Sequence, residues 1–152
     1  MASTGNAAAG GLLRDHLGRC SDAFVANLGS CSITRAELRG ALEGLRIAWR
    51  RGFKKIQLNL DSSTAINIIK NWADNDHNHG LIAQQIGELL SRRWEVNVCH
   101  IYREANFAAD FLASKGHCVN FGTHLFDVCD PELRHWLLYD VRETAQERGI
   151  LI

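Results

Sequence analysis

The chain has 152 residues, of which 46% are hydrophobic and 22% charged, with a single proline. This composition is that of one globular domain and excludes an intrinsically disordered chain. Seventeen basic and seventeen acidic residues give a formal net charge of zero. The overall charge therefore does not attract the protein to nucleic acid or to an anionic membrane, and any such binding must be local.

The cysteines and the apolar runs indicate the environment of the protein. Five cysteines, an odd number, are widely spread without any C-x-x-C pair, which argues against a disulfide framework and a zinc ribbon. They are Cys20, Cys31, Cys99, Cys118 and Cys129. No apolar run is long enough to span a membrane, and Met1–Gly11 lacks the pattern of a secretory signal. We expect an intracellular protein of the nucleus or cytoplasm with no membrane partner.

The first third of the chain predicts a hairpin followed by a helix. Apolar residues flank a turn between Gly10 and Leu28, which predicts two antiparallel strands. Thr34 and Glu37 have the spacing of a capping box, and apolar residues then recur at helical spacing until Gly52. The sequence thus predicts a helix that Thr34 caps.

The middle of the chain predicts a strand and two helices. Lys55–Leu60 alternates apolar and polar residues, as a strand does, and places Asp61 at the carboxyl end of that strand. Helical spacing then predicts a short helix over Ala65–Trp72 and a second helix over Ile82–Trp94. The polar stretch Ala73–Gly80 between them has the composition of a loop, and we interpret its two histidines, His77 and His79, as loop residues.

The last third predicts one more strand and two helices. Val96–Tyr102 is rich in β-branched residues and predicts a strand, and Phe107–Lys115 predicts a helix that contains Asp110. Asp130 precedes a proline and caps a final helix that runs toward Gly149. The predicted order is β-β-α-β-α-α-β-α with a tail helix, an α/β fold.

Three carboxylates are candidates for chemistry: Glu37, Asp61 and Asp110. Ligand sites of open α/β sheets gather beyond the carboxyl ends of strands, where Asp61 is expected. Clustered carboxylate oxygens suit the hard cations Mg²⁺ and Mn²⁺. Each residue also has a structural explanation, since Glu37 fits the capping box, Asp61 could cap the next helix, and Asp110 taken alone is a solvated helix residue.

Four segments together resemble the ribonuclease H-like domain of plant retroelements. They are Gly10–Asp15 with Gly18, Ala36–Leu38, Leu60–Ser62, and His100–Asn106 with Ala109–Asp110. The R-E-A-N-x-x-A-D segment is the most diagnostic. The resemblance covers residues 3–116, so we predict a ribonuclease H-like domain over 1–116 and a C-terminal extension over 117–152 whose helix packs on the same domain.

The resemblance implies a type 1 ribonuclease H fold, a mixed sheet flanked by helices, that cleaves the RNA strand of RNA–DNA hybrids with two Mg²⁺ or Mn²⁺ ions. By motif position, Glu37, Asp61 and Asp110 are the implied metal ligands. His100 is implied as a catalytic histidine that assists product release. Arg103 and Asn106 are implied to bind substrate, since a guanidinium and an amide suit a phosphate or a 2′-hydroxyl group.

The sequence departs from the family at its start. The family's first strand, the central strand of its sheet, ends in an Asp-Gly pair that supplies a fourth metal ligand, and the sequence contains no counterpart of it. Asp15 matches the hairpin turn and cannot replace that ligand. We therefore expect a truncated gene product or an incomplete sequence, an incomplete two-metal site, and unpaired backbone groups on the strands that flank the central position.

The sequence leaves two functions open and makes a third improbable. The first is the hybrid-cleaving endonuclease, and the alternative is an inactive retroelement-derived module that binds nucleic acid or protein. Two basic clusters, one within Arg50–Lys55 and one at Arg92–Arg93, are either solvated surface or phosphate contacts. A hydrolase of another kind has little support, since no serine or cysteine lies in an elbow-like motif.

Overall fold

The structure is a computed structural model that describes residues 5–74, 79–140 and 149–152. These residues form six strands and five α-helices. The strands are β1 Asn6–Arg14, β2 Cys20–Ser30, β3 Lys55–Leu60, β4 Glu95–His100, β5 Gly122–Leu125 and β6 Gly149–Leu151. The helices are α1 Ile33–Arg50, α2 Ser63–Lys70, α3 Gly80–Leu90, α4 Phe107–Gly116 and α5 Pro131–Asp140, with 3₁₀ turns at Trp72–Asp74 and Arg103–Ala105.

The strands form one mixed sheet in the order β4-β3-β6-β1-β2-β5. Strand β3 is parallel to β4 and to β6, whereas β1 is antiparallel to β2 and to β6, and β2 is antiparallel to β5. Among the residues that the structure describes, none of the helices has the length and apolar character needed to cross a membrane. This mixed sheet with flanking helices confirms the predicted fold class.

The sheet separates two apolar cores. Leu12 and Leu13 are neighbours on β1 and are both fully buried, yet they belong to different cores, since successive side chains of a strand point to opposite faces. One core joins the sheet to α1, α2 and α3, and the other joins it to α4 and α5. Ile150 and Leu151 of β6 divide in the same way.

Strand β6 fills the centre of the sheet, the position that we expected to be empty. Its three residues pair with Leu12–Arg14 on one side and Gln57–Asn59 on the other, so the neighbouring strands carry a backbone partner there. The expectation of unpaired groups along this position is wrong for those residues. Helix α1 packs closely against β6. The closeness is seen at Gly44, where an added Cβ atom would lie only 2.7 Å from Ile150 Cγ2.

Most of the predicted helices and strands are present, and the structure differs from the predictions mainly at their ends. Helix α1 is capped by Ser32, whose hydroxyl oxygen accepts from Arg35 N at 3.2 Å, so the prediction that Thr34 caps it is wrong. Asp130 does cap α5, since its Oδ1 accepts from the backbone N–H of the next two helical residues after Pro131. Strands β5 and β6 were not predicted.

Two further predictions of helix ends are wrong, and two other predictions fall on residues that the structure does not describe. Trp72 belongs to a 3₁₀ turn after α2, and Trp94 lies beyond the end of α3. The predicted continuation of the last helix toward Gly149 and the loop residue His77 lie outside the described residues. The division at residue 116 stays a prediction, although β5, α5 and β6 all pack on the sheet or on α4.

Candidate functional site

The three candidate carboxylates lie at the end of the sheet where β3 and β4 terminate. Asp61 directly follows β3, and Leu60 is the register partner of His100, the last residue of β4. Glu37 lies in the second turn of α1, and Asp110 lies in the first turn of α4. The parallel pairing of β3 and β4 thus places Asp61 and His100 at the same end of the sheet, and the position of Asp61 after its strand is as predicted.

The structural explanations of Glu37 and Asp61 as helix caps do not hold. Ser32 caps α1, so Glu37 is not the partner of a Thr34 cap. Ser62 caps α2, with its hydroxyl oxygen accepting from Ala65 N at 3.1 Å, so Asp61 is not that cap either. Neither carboxylate is therefore needed to begin its helix.

The electrostatics bring the three carboxylates into one group. Burial raises the pKa of Glu37, and the charges of Asp61 and Asp110 raise it further, against a hydrogen bond from Ser62 and the charge of Arg103. Burial and the charge of Asp61 likewise raise the pKa of Asp110. The charge of Asp61 thus acts on both Glu37 and Asp110, and the three carboxylates form one electrostatic group.

Glu37 contributes an unsatisfied acceptor to this group. Its Oε2 is buried and has no hydrogen-bond partner among the described residues. A buried acceptor without a donor is costly, so it marks a place where a cation or a donor would stabilise the protein. Glu37 also lines a cavity of about 200 Å³ that runs along the first residues of β1 and reaches His117, a residue that the sequence did not single out.

Arg103 supplies the positive charge of the site. Its Nε lies 3.5 Å from Asp110 Oδ2, and its side chain is 78% exposed. It lies on the 3₁₀ turn between β4 and α4, which is the turn that the diagnostic motif encodes. An exposed guanidinium beside a carboxylate group is available to an anionic substrate.

The structure separates the other two predicted site residues. His100 is exposed, and its ring packs edge-on against Tyr102 at 5.5 Å between centroids. The side chain of Asn106 is only 1% exposed, and its Nδ2 donates to the backbone oxygen of Ile152 at 2.9 Å. Asn106 therefore holds the end of β6, and its substrate contact stays a prediction.

Asp140 is a buried carboxylate that sequence reasoning missed. Its two oxygens accept from Phe107 N at 3.2 Å and from Ala108 N at 2.8 Å, so it caps α4 from the end of α5. Burial raises the pKa of Asp140, and its charge contributes to the raised pKa of Asp110. Asn106, the residue before α4, makes no side-chain cap hydrogen bond of its own, and the sequence carries no signal that Asp140 takes this role.

The donor chemistry of this carboxylate group fits a hard divalent cation. Carboxylate oxygens are the ligands that Mg²⁺ and Mn²⁺ prefer, and Glu37 Oε2 is a free acceptor there. Within the described ranges, no three His, Cys, Asp or Glu side chains are already arranged to hold a metal ion. Asp15 lies in the hairpin turn between β1 and β2, where it accepts from Leu17 N and Arg19 N at 2.9 Å each.

Comparisons with known proteins agree with this architecture. A family model for reverse transcriptase-like domains matches residues 1–116. The chain is 33% identical over 152 residues to "Putative ribonuclease H protein At1g65750" of Arabidopsis thaliana, and the match covers 98% of the chain but 24% of that relative.

Two solved structures share the fold. RNase H1 from the halophilic archaeon Halobacterium salinarum NRC-1 has a TM-score of 0.69 at 24% identity, covering 76% of this chain and 89% of that one. The N-terminal RNase H domain of rv2228c from Mycobacterium tuberculosis, solved as a fusion with maltose binding protein, has a TM-score of 0.54 at 20% identity, covering 76% of this chain and 94% of that one.

Proposed function

Because this chain belongs to the reverse transcriptase-like family of ribonuclease H-like domains, we propose that it is a metal-dependent endonuclease that cleaves the RNA strand of RNA–DNA hybrids. The observation that carries the proposal is the group formed by Glu37, Asp61 and Asp110, in which burial and the charge of Asp61 raise the pKa values of Glu37 and Asp110. The name of the Arabidopsis relative supports it, although the chain spans only 24% of that protein.

Glu37, Asp61 and Asp110 would hold Mg²⁺ or Mn²⁺. A bound divalent ion supplies an activated water and stabilises the charge on the leaving oxygen. The protein's own part is geometric, since the ends of β3, α1 and α4 hold the carboxylates and the buried Glu37 Oε2 accepts no other donor in the described residues. Their mutual repulsion is the force that a cation relieves.

Arg103 and His100 would act on the substrate. The exposed Arg103 guanidinium can donate to two phosphate oxygens once a cation competes for Asp110. His100 lies at the end of β4, opposite the residue that precedes Asp61, where an imidazole can donate a proton to a departing product or accept one from it. Both roles depend on side chains that lie at the open end of the sheet.

The test uses an end-labelled RNA–DNA hybrid with Mg²⁺ or Mn²⁺. We expect cleavage by the wild type, loss of cleavage in Asp61→Asn, and retained cleavage in Asp74→Asn, which removes an exposed carboxylate from the 3₁₀ turn after α2. Equal cleavage by wild type and Asp61→Asn would identify a contaminating nuclease. Absence of cleavage with both metals would contradict the proposal.

A module that binds without cleaving is the second candidate. It is favoured by the absence, within the described residues, of three side chains already arranged for a metal ion. This candidate predicts binding of the hybrid with no cleavage, and a Mn²⁺ titration that leaves the free energy of unfolding unchanged. Stabilisation by Mn²⁺ that disappears in Asp61→Asn would instead support the metal site.

A further inference from the structure

A basic groove lies between α1 and α3, away from the carboxylates. It encloses a cavity of about 490 Å³ whose charged lining comes from Arg46 and Arg50 of α1, from Arg92 just after α3, and from Glu43 and Glu88. The groove unites Arg50 and Arg92, which belong to two basic clusters far apart in the sequence. The zero net charge of the chain thus conceals a local excess of cations.

The carboxylates of the groove do not neutralise it. The side chain of Glu43 is 10% exposed, and its Oε1 lies 3.1 Å from Arg46 Nη1 and 3.5 Å from Arg39 Nε, so two guanidinium groups share one oxygen. Glu88 lies 3.5 Å from Arg92. Arg50 forms no ion pair with a carboxylate in the part of the chain that the structure describes.

The Trp49 ring contacts two cations, of which Arg92 lines the groove. The Trp49 ring lines the groove, the Arg92 guanidinium lies 5.1 Å from its centroid, and the Lys54 ammonium lies 5.8 Å from it. Trp94 fixes that ring by an edge contact at 5.2 Å. Two like charges against one ring repel each other, and an anion placed beside them would offset that repulsion.

The groove is separate from the proposed nuclease site. Arg46 follows Glu37 by nine residues, which at about 100° and 1.5 Å per residue corresponds to roughly the opposite side of the helix and on the order of 13 Å along it. Ligands at the two places would therefore contact different faces of α1. A strand held in the groove needs neither the carboxylates nor a divalent ion.

We propose that this groove binds the phosphodiester backbone of a single nucleic-acid strand through Arg46, Arg50 and Arg92. Planar guanidinium groups match phosphate oxygens in geometry, and cations that neutralise phosphates release the counterions bound there. Proteins that hold single strands combine a positively charged groove with aromatic side chains, and Trp49 supplies an aromatic ring in this groove. The choice of nucleic acid over an acidic peptide rests on the proposed function, and the site itself rests on the charges.

The test measures binding of a labelled single-stranded DNA or RNA to the full chain in EDTA, by fluorescence anisotropy at several salt concentrations. The double variant Arg50→Gln with Arg92→Gln removes two phosphate contacts, so the slope of log K against log salt falls in magnitude by about 1.4 in all. The control variant Arg19→Gln with Arg134→Gln removes two exposed charges outside the groove and keeps the wild-type slope. The single variant Arg50→Gln keeps the contact between Arg92 and the Trp49 ring, and the magnitude of its slope should fall by about 0.7.

Three results would overturn the proposal. They are an unchanged slope in the groove variants, no binding of either strand by the wild type, and tighter binding of poly-glutamate than of the strands. The nuclease assay is independent, because it uses Mg²⁺ or Mn²⁺, a hybrid and Asp61→Asn. If the hybrid is cleaved but the groove variants keep the wild-type salt slope, only the groove proposal is rejected. If the groove variants have a lower slope and the hybrid is not cleaved, the groove proposal is supported and the nuclease proposal is rejected.

Discussion

The Nδ2 of Asn106 donates a hydrogen bond to the backbone oxygen of Ile152 over 2.9 Å. Asn106 directly precedes α4, which carries Asp110, and Ile152 directly follows β6 in the centre of the sheet. This bond therefore connects the helix of the candidate site to the strand that completes the sheet. It gives Asn106 a structural role within the diagnostic motif.

Asn106→Ala should destabilise the protein by about 1–3 kcal/mol, because the substitution removes a buried donor and leaves the Ile152 oxygen without it. Urea unfolding followed by circular dichroism measures the change. Asn97→Ala, at an exposed position of β4, is the matched control and should change the free energy of unfolding by less than about 0.5 kcal/mol. Equal effects of the two substitutions would show that the bond to Ile152 is unimportant.

Ile150→Ala tests whether β6 belongs to the core. Ile150 is fully buried and contacts α1 where Gly44 leaves room for it, so its truncation should cost about 2–5 kcal/mol. Ile33→Ala makes the same chemical change at a side chain that is 65% exposed and should cost far less. If the two variants unfold at the same urea concentration, β6 does not hold the sheet together.

Local sequence patterns were enough for the elements whose own residues define them. The alternation of Lys55–Leu60 and the helical spacing before Gly52 predicted β3 and α1 because each pattern reflects one buried face. Strand β6 has only three residues, and its pairing with β1 and β3 depends on a central position that the rest of the chain creates. No local pattern contains that information.

The candidate site also contains residues that the sequence identified and residues whose role only the structure shows. Glu37, Asp61 and Asp110 were identified by their order in a family motif, and their electrostatic coupling was then found in the structure. Asp140 was missed because it caps a helix that begins 33 residues earlier than itself, which only tertiary packing can arrange. The burial of Asn106 was missed because nothing in the motif distinguishes a substrate contact from a bond to Ile152.

Asp140→Ala should destabilise the protein by about 0.5–2 kcal/mol, since α4 loses the carboxylate that accepts from Phe107 N and Ala108 N. The same substitution removes a negative charge that raises the pKa of Asp110, so that pKa should fall. Carboxyl titration by carbon NMR measures it. Asp74→Ala, at an exposed position, should leave both quantities unchanged. A pKa of Asp110 that does not move would show that Asp140 acts on α4 alone.

Glu37→Gln should stabilise the protein at pH 7 in the absence of metal. Burial and the charges of Asp61 and Asp110 raise the pKa of Glu37 above its ordinary value of 4.5, so the folded state binds this proton more tightly than the unfolded state. The contribution of Glu37 to stability is therefore complete below pH 4.5 and is lost as the pH rises through the folded-state pKa. Glutamine carries no such charge and avoids the loss.

The measurement is the free energy of urea unfolding at several pH values between acid and neutral, with EDTA present. The stabilising effect of Glu37→Gln should shrink as the pH falls, because the wild-type carboxyl then becomes neutral as well. Glu43→Gln, on the same helix, removes two ion pairs with Arg39 and Arg46 and should lower stability at pH 7. If Glu37→Gln instead destabilises the protein at neutral pH, the Glu37 carboxylate is a structural group, and a divalent cation would have no repulsion to relieve there.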